Sequence, residues 1–323
     1  MNFEVIWEVI VRTEDDVWNL GLLSECIIDK SVKNLANTAT IILPEANFNQ
    51  VLNLGQIIGR GDEIEIKLGY RGHQFRTEFK GYIKEIITND VSIKIECEDS
   101  LFLFRKSIPN IQMKPASISQ IANYLIQNID PLINLDSDYT IDYEKFTIHH
   151  ATAFDVLKKL QEETGADIYF ENNTLHIHPA YTRKGGDVDY SPQINIENFG
   201  LEYKTAQDKR VEVVIENVAL DGTITSYTAG QPGGEKITKR VGRMTPETIK
   251  VIAETEYKNR MTDGYEGSFD AWLIPYVEPS FTAGIYDSDY EYKDGRYYVD
   301  AVKTTLSEGG IVRNVQLGIK LSA

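Results

Sequence analysis

GDEIEIKLGYRGHQFRTEFKGYIKEIITNDVSIKIECEDS, residues 61–100, is the stretch that decides the fold. Gly61-Asp62 turns the chain into Ile64, Ile66, Leu68 and Tyr70, with Glu63, Glu65 and Lys67 on the opposite face. That two-residue period is the mark of a strand with one buried side. Phe75 to Ile87 continues as a long strand interrupted by Gly81, where a bulge or bend is expected. Asn89-Asp90 then turns into Val91, Ile93, Ile95 and Cys97. Upstream, Phe3, Val5, Trp7, Val9 and Val11 alternate in the same way, and Thr38 to Leu43 is a β-branched run that stops at Pro44. Several strands at short spacing predict a small sandwich or barrel over residues 1–105.

The period then changes. Ile118, Ile121, Ala122, Leu125, Ile126 and Ile129 fall on one helical face, with Ser117 and Gln120 placed as a capping box and Pro131 beyond the end. Thr152 and Asp155 open a second helix, whose stripe is Ala153, Val156, Leu157 and Leu160 and whose stop is Gly165. Asp167–Phe170 and Thr174–His178 follow as a hairpin turning at Asn172-Asn173. Residues 106–200 therefore read as an α/β insert. From 201 to 323 β character returns: Lys209 to Leu220 turns at Asp221-Gly222 into Thr223 to Thr228. Ala229 to Glu235 has the composition of a flexible exposed loop. Thr245-Pro246 caps an inserted helix at about 245–260. Strands resume at Ser268–Leu273, Arg296–Thr304 and Ile311–Leu321, the last two joined at Gly309-Gly310. The expected fold class is α+β, mainly β.

Composition narrows the function. The 323 residues are 42% hydrophobic and 25% charged, enough for a sizeable core. Lys and Arg number 33 against 49 Asp and Glu, a net charge of −16, and the pI is near 4.8. Such a surface repels phosphate and anionic lipid, which argues against a generic nucleic-acid or membrane-surface binder. No apolar run approaches the ~18 residues that would span a bilayer. The opening MNFEVIWEVIVRTEDD carries no basic n-region, so a soluble chain made in the cytoplasm is expected. Cys26 and Cys97 cannot make a disulfide framework or a zinc site by themselves, and Cys97 reads as a small core hydrophobe.

Candidate chemistry is sparse. His176 and His178 share one strand face opposite Leu175 and Ile177. Two imidazoles so placed can begin a zinc or nickel site. Without an adjoining carboxylate cluster in the sequence, they read as the solvent side of a hairpin, and no metal is assigned. His149-His150 is weaker still as a pair, because adjacent residues on a strand would face opposite ways. Arg60-Gly61-Asp62 is explained by a turn and a strand entry. The acidic loop from Asp287 has Tyr292 and Tyr298 where a helix-loop-helix calcium site needs Gly and a bidentate carboxylate. Gln161-Glu162-Glu163, near the end of the second helix, reads most simply as its solvated face. There is no nucleophile elbow, P-loop or Cys-His signature, so no catalytic residue and no cofactor is assigned, and the chain is expected not to be an enzyme.

Four stretches together resemble the late-control-D-like baseplate hub proteins of contractile phage tails, a family related to the hub part of type VI secretion VgrG spikes. SVKNLANTATIILP (31–44) looks like the family's early strand pair, and residues 61–100 like its Gly-Asp, Gly-Tyr, Phe-x-Gly strand series. Thr152–His178 is similar to its helix-Thr-Gly hairpin module. DGRYYVDAVKTTLSEGGIVRNVQLGIKL (294–321) resembles its closing strands. The pattern departs at Phe281-Thr-Ala-Gly284, where the family usually has Pro-Gly-Asp.

The resemblance implies two tube-type β-barrel domains, at 1–105 and 201–323, flanking the insert. It also implies a homotrimer whose six barrels form a pseudo-sixfold ring between a hexameric tail tube protein and a trimeric central spike. Other baseplate proteins would touch the insert. DNA would be only cargo in an acidic lumen, and the location would be the virion tail of a phage or prophage after assembly in the host cytoplasm. Assembly contacts are expected edge to edge along Ile64, Ile66, Leu68 and Tyr70, and along Val312, Val315, Leu317 and Ile319. The alternative is a tail-associated cell-wall hydrolase or carbohydrate-binding protein using the Tyr-rich loop 286–298 and the His176/His178 face.

Overall fold

The computed structural model describes residues 4–44, 57–88, 92–171, 173–206, 209–218, 223–242 and 244–322. The turns expected at Asn89-Asp90, Asn172-Asn173 and Asp221-Gly222 lie wholly or partly outside them, as does Phe3. The first strands are β1 (Val5–Arg12), β2 (Val17–Asn19), β3 (Glu25–Ser31), β4 (Thr38–Pro44), β5 (Glu63–Tyr70), β6 (Phe75–Thr88) and β7 (Ser92–Glu98). The alternating residues meet as the pattern requires: Val9, Val11, Ile41, Ile64, Ile66, Leu68, Ile83, Ile95 and Cys97 form one apolar cluster. The irregularity expected at Gly81 sits to either side of it. Register slips leave Glu78 without a partner on β5 and Lys84 without one on β7. Gly81 has another reason: a Cβ there would stand 2.1 Å from the Glu98 carbonyl oxygen, so the neighbouring backbones need a residue with no side chain.

The middle segment holds β8 (Ile111–Met113), β9 (Ala116–Ser117), α1 (Ile118–Ile129), β10 (Asn134–Ser137), β11 (Asp142–Tyr143), β12 (Phe146–Ile148), α2 (Ala153–Thr164), β13 (Asp167–Glu171) and β14 (Thr174–His178). Both helices start on the capping boxes the sequence predicts, Ser117 with Gln120 and Thr152 with Asp155. α2 ends on Gly165 at φ 68°, the left-handed stop. The hairpin β13–β14 gains an unforeseen third strand, because β10 runs parallel to β14 with Asp136 opposite His176. β8 to β12 are too short to carry a readable period.

The remaining elements are β15 (Asp187–Tyr190), β16 (Ile196–Lys204), β17 (Val211–Val218), β18 (Ile224–Gly230), β19 (Glu235–Val241), α3 (Pro246–Arg260), β20 (Gly264–Ala271), β21 (Thr282–Ile285), β22 (Gly295–Ser307) and β23 (Gly310–Ser322). The stretch Ala229–Glu235 is mostly exposed, as its composition suggests, but only residues 231–234 are loop. It ends β18 and begins β19, and a Cβ on Gly230 (φ 105°) would lie 2.3 Å from the Val211 carbonyl oxygen. β17, β18 and β19 form a separate sheet. With α3 it shares a core with the middle segment, where Val213, Ile215, Ile249 and Ile252 join Ile121, Leu157 and Leu160.

The two ends of the chain are sewn into one 13-stranded sheet, in the order β16-β20-β23-β22-β3-β4-β7-β6-β5-β1-β2, with β21 and β15 added beside β22. The seam is β22 against β3, from Ala301↔Ser31 to Leu306↔Cys26. Among the described residues the hydrogen-bonded path is open from β16 to β2. A second link crosses the seam. Arg313 on β23 is fully buried, and its Nη2 donates to the Glu78 carboxylate at 2.6 Å. It also donates to Thr304 Oγ1 and the Leu273 carbonyl. The bulge that frees Glu78 from the β5 ladder is what aims its carboxylate at this arginine.

Candidate functional site

The residues expected to pair with neighbouring chains do not lie on open strand edges. β5 is hydrogen-bonded on both sides, by β1 and β6, and β23 by β20 and β22. Ile64, Ile66, Leu68 and Tyr70 are buried in the first apolar cluster, and Val315 and Leu317 in the third. Only Val312 is exposed, and Ile319 is half-buried. The reason is general: a strongly alternating strand is one whose apolar face is already covered, whereas edges tend to be short and irregular. The ends of the main hydrogen-bonded path are β2, which carries exposed Val17 and Trp18, and β16, which carries exposed Phe199.

The sequence-predicted histidine pair is brought into a polar cluster. Leu175 and Ile177 go to the core, and His176 and His178 to the other face, as the alternation requires. That face is not open to water, however: His178 has no exposed surface, and His176 stacks on Tyr169 with ring centroids 4.7 Å apart. The carboxylates missing from the local sequence arrive on β10 and just beyond it. Asp136 Oδ2 lies 3.3 Å from His176 Nδ1 and 3.7 Å from His178 Nε2. The two imidazole nitrogens are 3.5 Å apart. Asp138 Oδ1 holds His178 Nδ1 at 2.6 Å, so His178 donates there and turns the Nε2 lone pair inward. Arg183 donates from Nε to that nitrogen at 3.2 Å and from Nη2 to Asp136. Burial pushes the His176 imidazolium below its usual range, against the pull of Asp136. Among the described residues, Asp136, His176 and His178 are the one group whose ligand atoms are close enough together to hold a metal ion. A signal for it was present: Asp136-Ser-Asp138 has the same two-residue spacing as His176-Ile-His178.

Beside this cluster is a junction of the three parts of the chain. Lys33, from the β3–β4 connection, approaches Asp167 of β13 at 3.4 Å and lies 3.8 Å from the centre of the Tyr181 ring. Tyr298 of β22 donates to the same carboxylate at 3.4 Å. Burial pushes the nearby Asp300 carboxyl up to about 6, with Lys33 opposing. The tyrosine loop divides. Tyr297 and Tyr298 are core residues, while Tyr290 and Tyr292 are exposed. Lys293 sits against both exposed rings, 4.2 and 5.6 Å from their centres, and so takes up part of the face a sugar would stack on. The cysteines are inert by environment: burial pushes the Cys26 thiol up to about 12 and Cys97 higher still.

No described protein family and no curated protein matches the sequence. Solved structures do match the fold. A tail protein from Neisseria meningitidis MC58 superposes with a TM-score of 0.67 at 13% identity, over 97% of this chain and 96% of that one. The 43 kDa tail protein of prophage MuSo2 from Shewanella oneidensis gives 0.66 at 14% identity, over 97% and 98%. A type VI secretion system component from E. coli, itself described as similar to the T4 tail proteins gp27 and gp5, gives 0.61 at 9% identity, over 97% and 77%. Across almost its whole length, this chain is built on the fold shared by these tail proteins and this type VI secretion component.

Proposed function

We propose that this protein is a structural hub of a phage or phage-derived contractile tail, a homotrimer that joins the hexameric tail tube to the trimeric central spike. The observation that carries this reading is the end-to-end likeness to two tail proteins, which covers at least 96% of both chains in each case. The long sheet supports the same reading, because both ends of the chain contribute strands to one surface through β22 and β3. In the assembled ring each end would supply one tube-type barrel, with 106–200 packed outside. The contacts between copies would run along the edges β2 and β16, with Val312 and Ile319 as exposed contributors from β23. An acidic lumen would let DNA pass without holding it.

Light scattering across a concentration series, at two salt levels, tests the oligomer. A species of three 36.6 kDa chains that caps tube-protein rings in electron micrographs is the expected result. A chain that stays monomeric with tube and spike proteins present overturns the reading.

A further inference from the structure

We propose that Asp136, His176 and His178 form a divalent-cation site, selective for zinc-like ions, that ties β10 to β14 in the middle segment. This goes beyond the assembly reading and does not depend on it. Three electron-pair donors, Asp136 Oδ2, His176 Nδ1 and His178 Nε2, stand 3.3, 3.5 and 3.7 Å from one another. Bonds of about 2.0–2.1 Å to a tetrahedral ion place neighbouring donors roughly 3.3–3.4 Å apart, so the triangle needs little adjustment to take one. Two nitrogens and one carboxylate oxygen suit Zn²⁺ rather than Ca²⁺ or Mg²⁺, which prefer all-oxygen shells.

The second observation is the orientation of His178. It is fully buried, and its Nδ1 is held by Asp138 at 2.6 Å. A carboxylate behind a histidine is the arrangement that fixes the tautomer and sharpens the basicity of a metal-binding nitrogen. The backbone makes the site rigid, because the parallel ladder places Asp136 directly opposite His176.

Arg183 now answers the negative potential of the cluster, donating to both Asp136 and His178. Its side chain is 47% exposed and comes from the segment after β14. It is therefore a displaceable cation that can swing out to solvent as the ion enters. The side it vacates is where a water would complete the tetrahedron.

The test is Zn²⁺ titration of the full-length, chelator-stripped protein by calorimetry, with Co²⁺ absorption as a report on tetrahedral geometry. One ion per chain is expected, with a visible Co²⁺ spectrum and a rise in the thermal midpoint on adding Zn²⁺. His176→Ala and Asp136→Asn should each weaken binding at least about tenfold, and Asp138→Asn, which touches no ion, by about 10–100-fold. Arg183→Gln should bind more tightly, since its competitor is gone. His178 is left intact because its burial makes a folding defect the expected outcome of replacing it; Asp136, 40% exposed, carries no such risk. Absence of stoichiometric binding overturns the proposal. So does binding that survives both His176→Ala and Asp136→Asn, or that is lost instead in a His149→Ala, His150→Ala double variant. Unchanged or weaker affinity in Arg183→Gln overturns the role given to that arginine.

Discussion

Single residues set the chemistry at the seam. Arg313 and Glu78 are both buried, and their ion pair spans the junction between the two ends of the chain. Removing one partner leaves an uncompensated buried charge, so Arg313→Ala should cost about 3–5 kcal/mol in chemical denaturation. The double variant Arg313→Met, Glu78→Leu removes both charges and should recover most of that loss. A cost below ~1 kcal/mol for Arg313→Ala would show that the pair does not hold the seam. Asp300 makes a pH-dependent contribution of the opposite kind. Its folded carboxyl titrates at about 6, against an ordinary value of 3.8, because burial disfavours the charge. Between those two values the unfolded chain gives up its proton and the folded one keeps it. Stability therefore falls as pH rises through that window, by about 2–3 kcal/mol. Asp300→Asn should accordingly raise the thermal midpoint at pH 8 and change it little at pH 4, and equal effects at both pH values would refute the argument.

At the scale of elements, local signals were the most readable. The caps of α1 and α2, the Gly165 stop and the Thr245-Pro246 start of α3 depend only on neighbours three or four residues away. Thr152 illustrates the strength of such a signal. Its Oγ1 accepts from the Asp155 amide, and its own amide donates to the Asp155 carboxylate. Thr152→Ala should lower stability by about 1 kcal/mol, and Thr152→Ser should restore it, as read from urea midpoints. Strands are less legible, because their partners are remote. β10 looks like a connection until it is seen to pair with β14, some 40 residues later, and only that pairing gives His176 and His178 their carboxylates. β5 and β23 raised the reverse difficulty. Their clean alternation was visible, but nothing in a period of two tells an interior strand from an edge.

For the whole molecule, the open ends of the long sheet are the feature with consequences. An edge strand presents unpaired backbone groups, and charged residues on it suppress further pairing. If β2 is an inter-chain contact, Val17→Lys with Trp18→Lys should shift the light-scattering mass from trimer toward monomer while leaving the thermal midpoint within about 1 kcal/mol equivalent of the parent, since both side chains are exposed. The matching change on β5, Ile66→Lys, should instead unfold the chain, because Ile66 is completely buried. A variant pair that behaved the other way round would return the assembly surface to β5.

By itself the sequence determined the mainly-β class, the capped helices and the apolar face of each long strand. Through its net charge it also argued against a generic phosphate binder. These follow from interactions between near neighbours, or from sums over the chain, and neither requires knowledge of what packs where. Tertiary structure alone decided that both ends share one sheet, that β17–β19 and α3 complete the core of the middle segment, and that two acids and two histidines face one another. Each of these rests on contacts between residues far apart in the chain, whose register is set by the shape of the completed core.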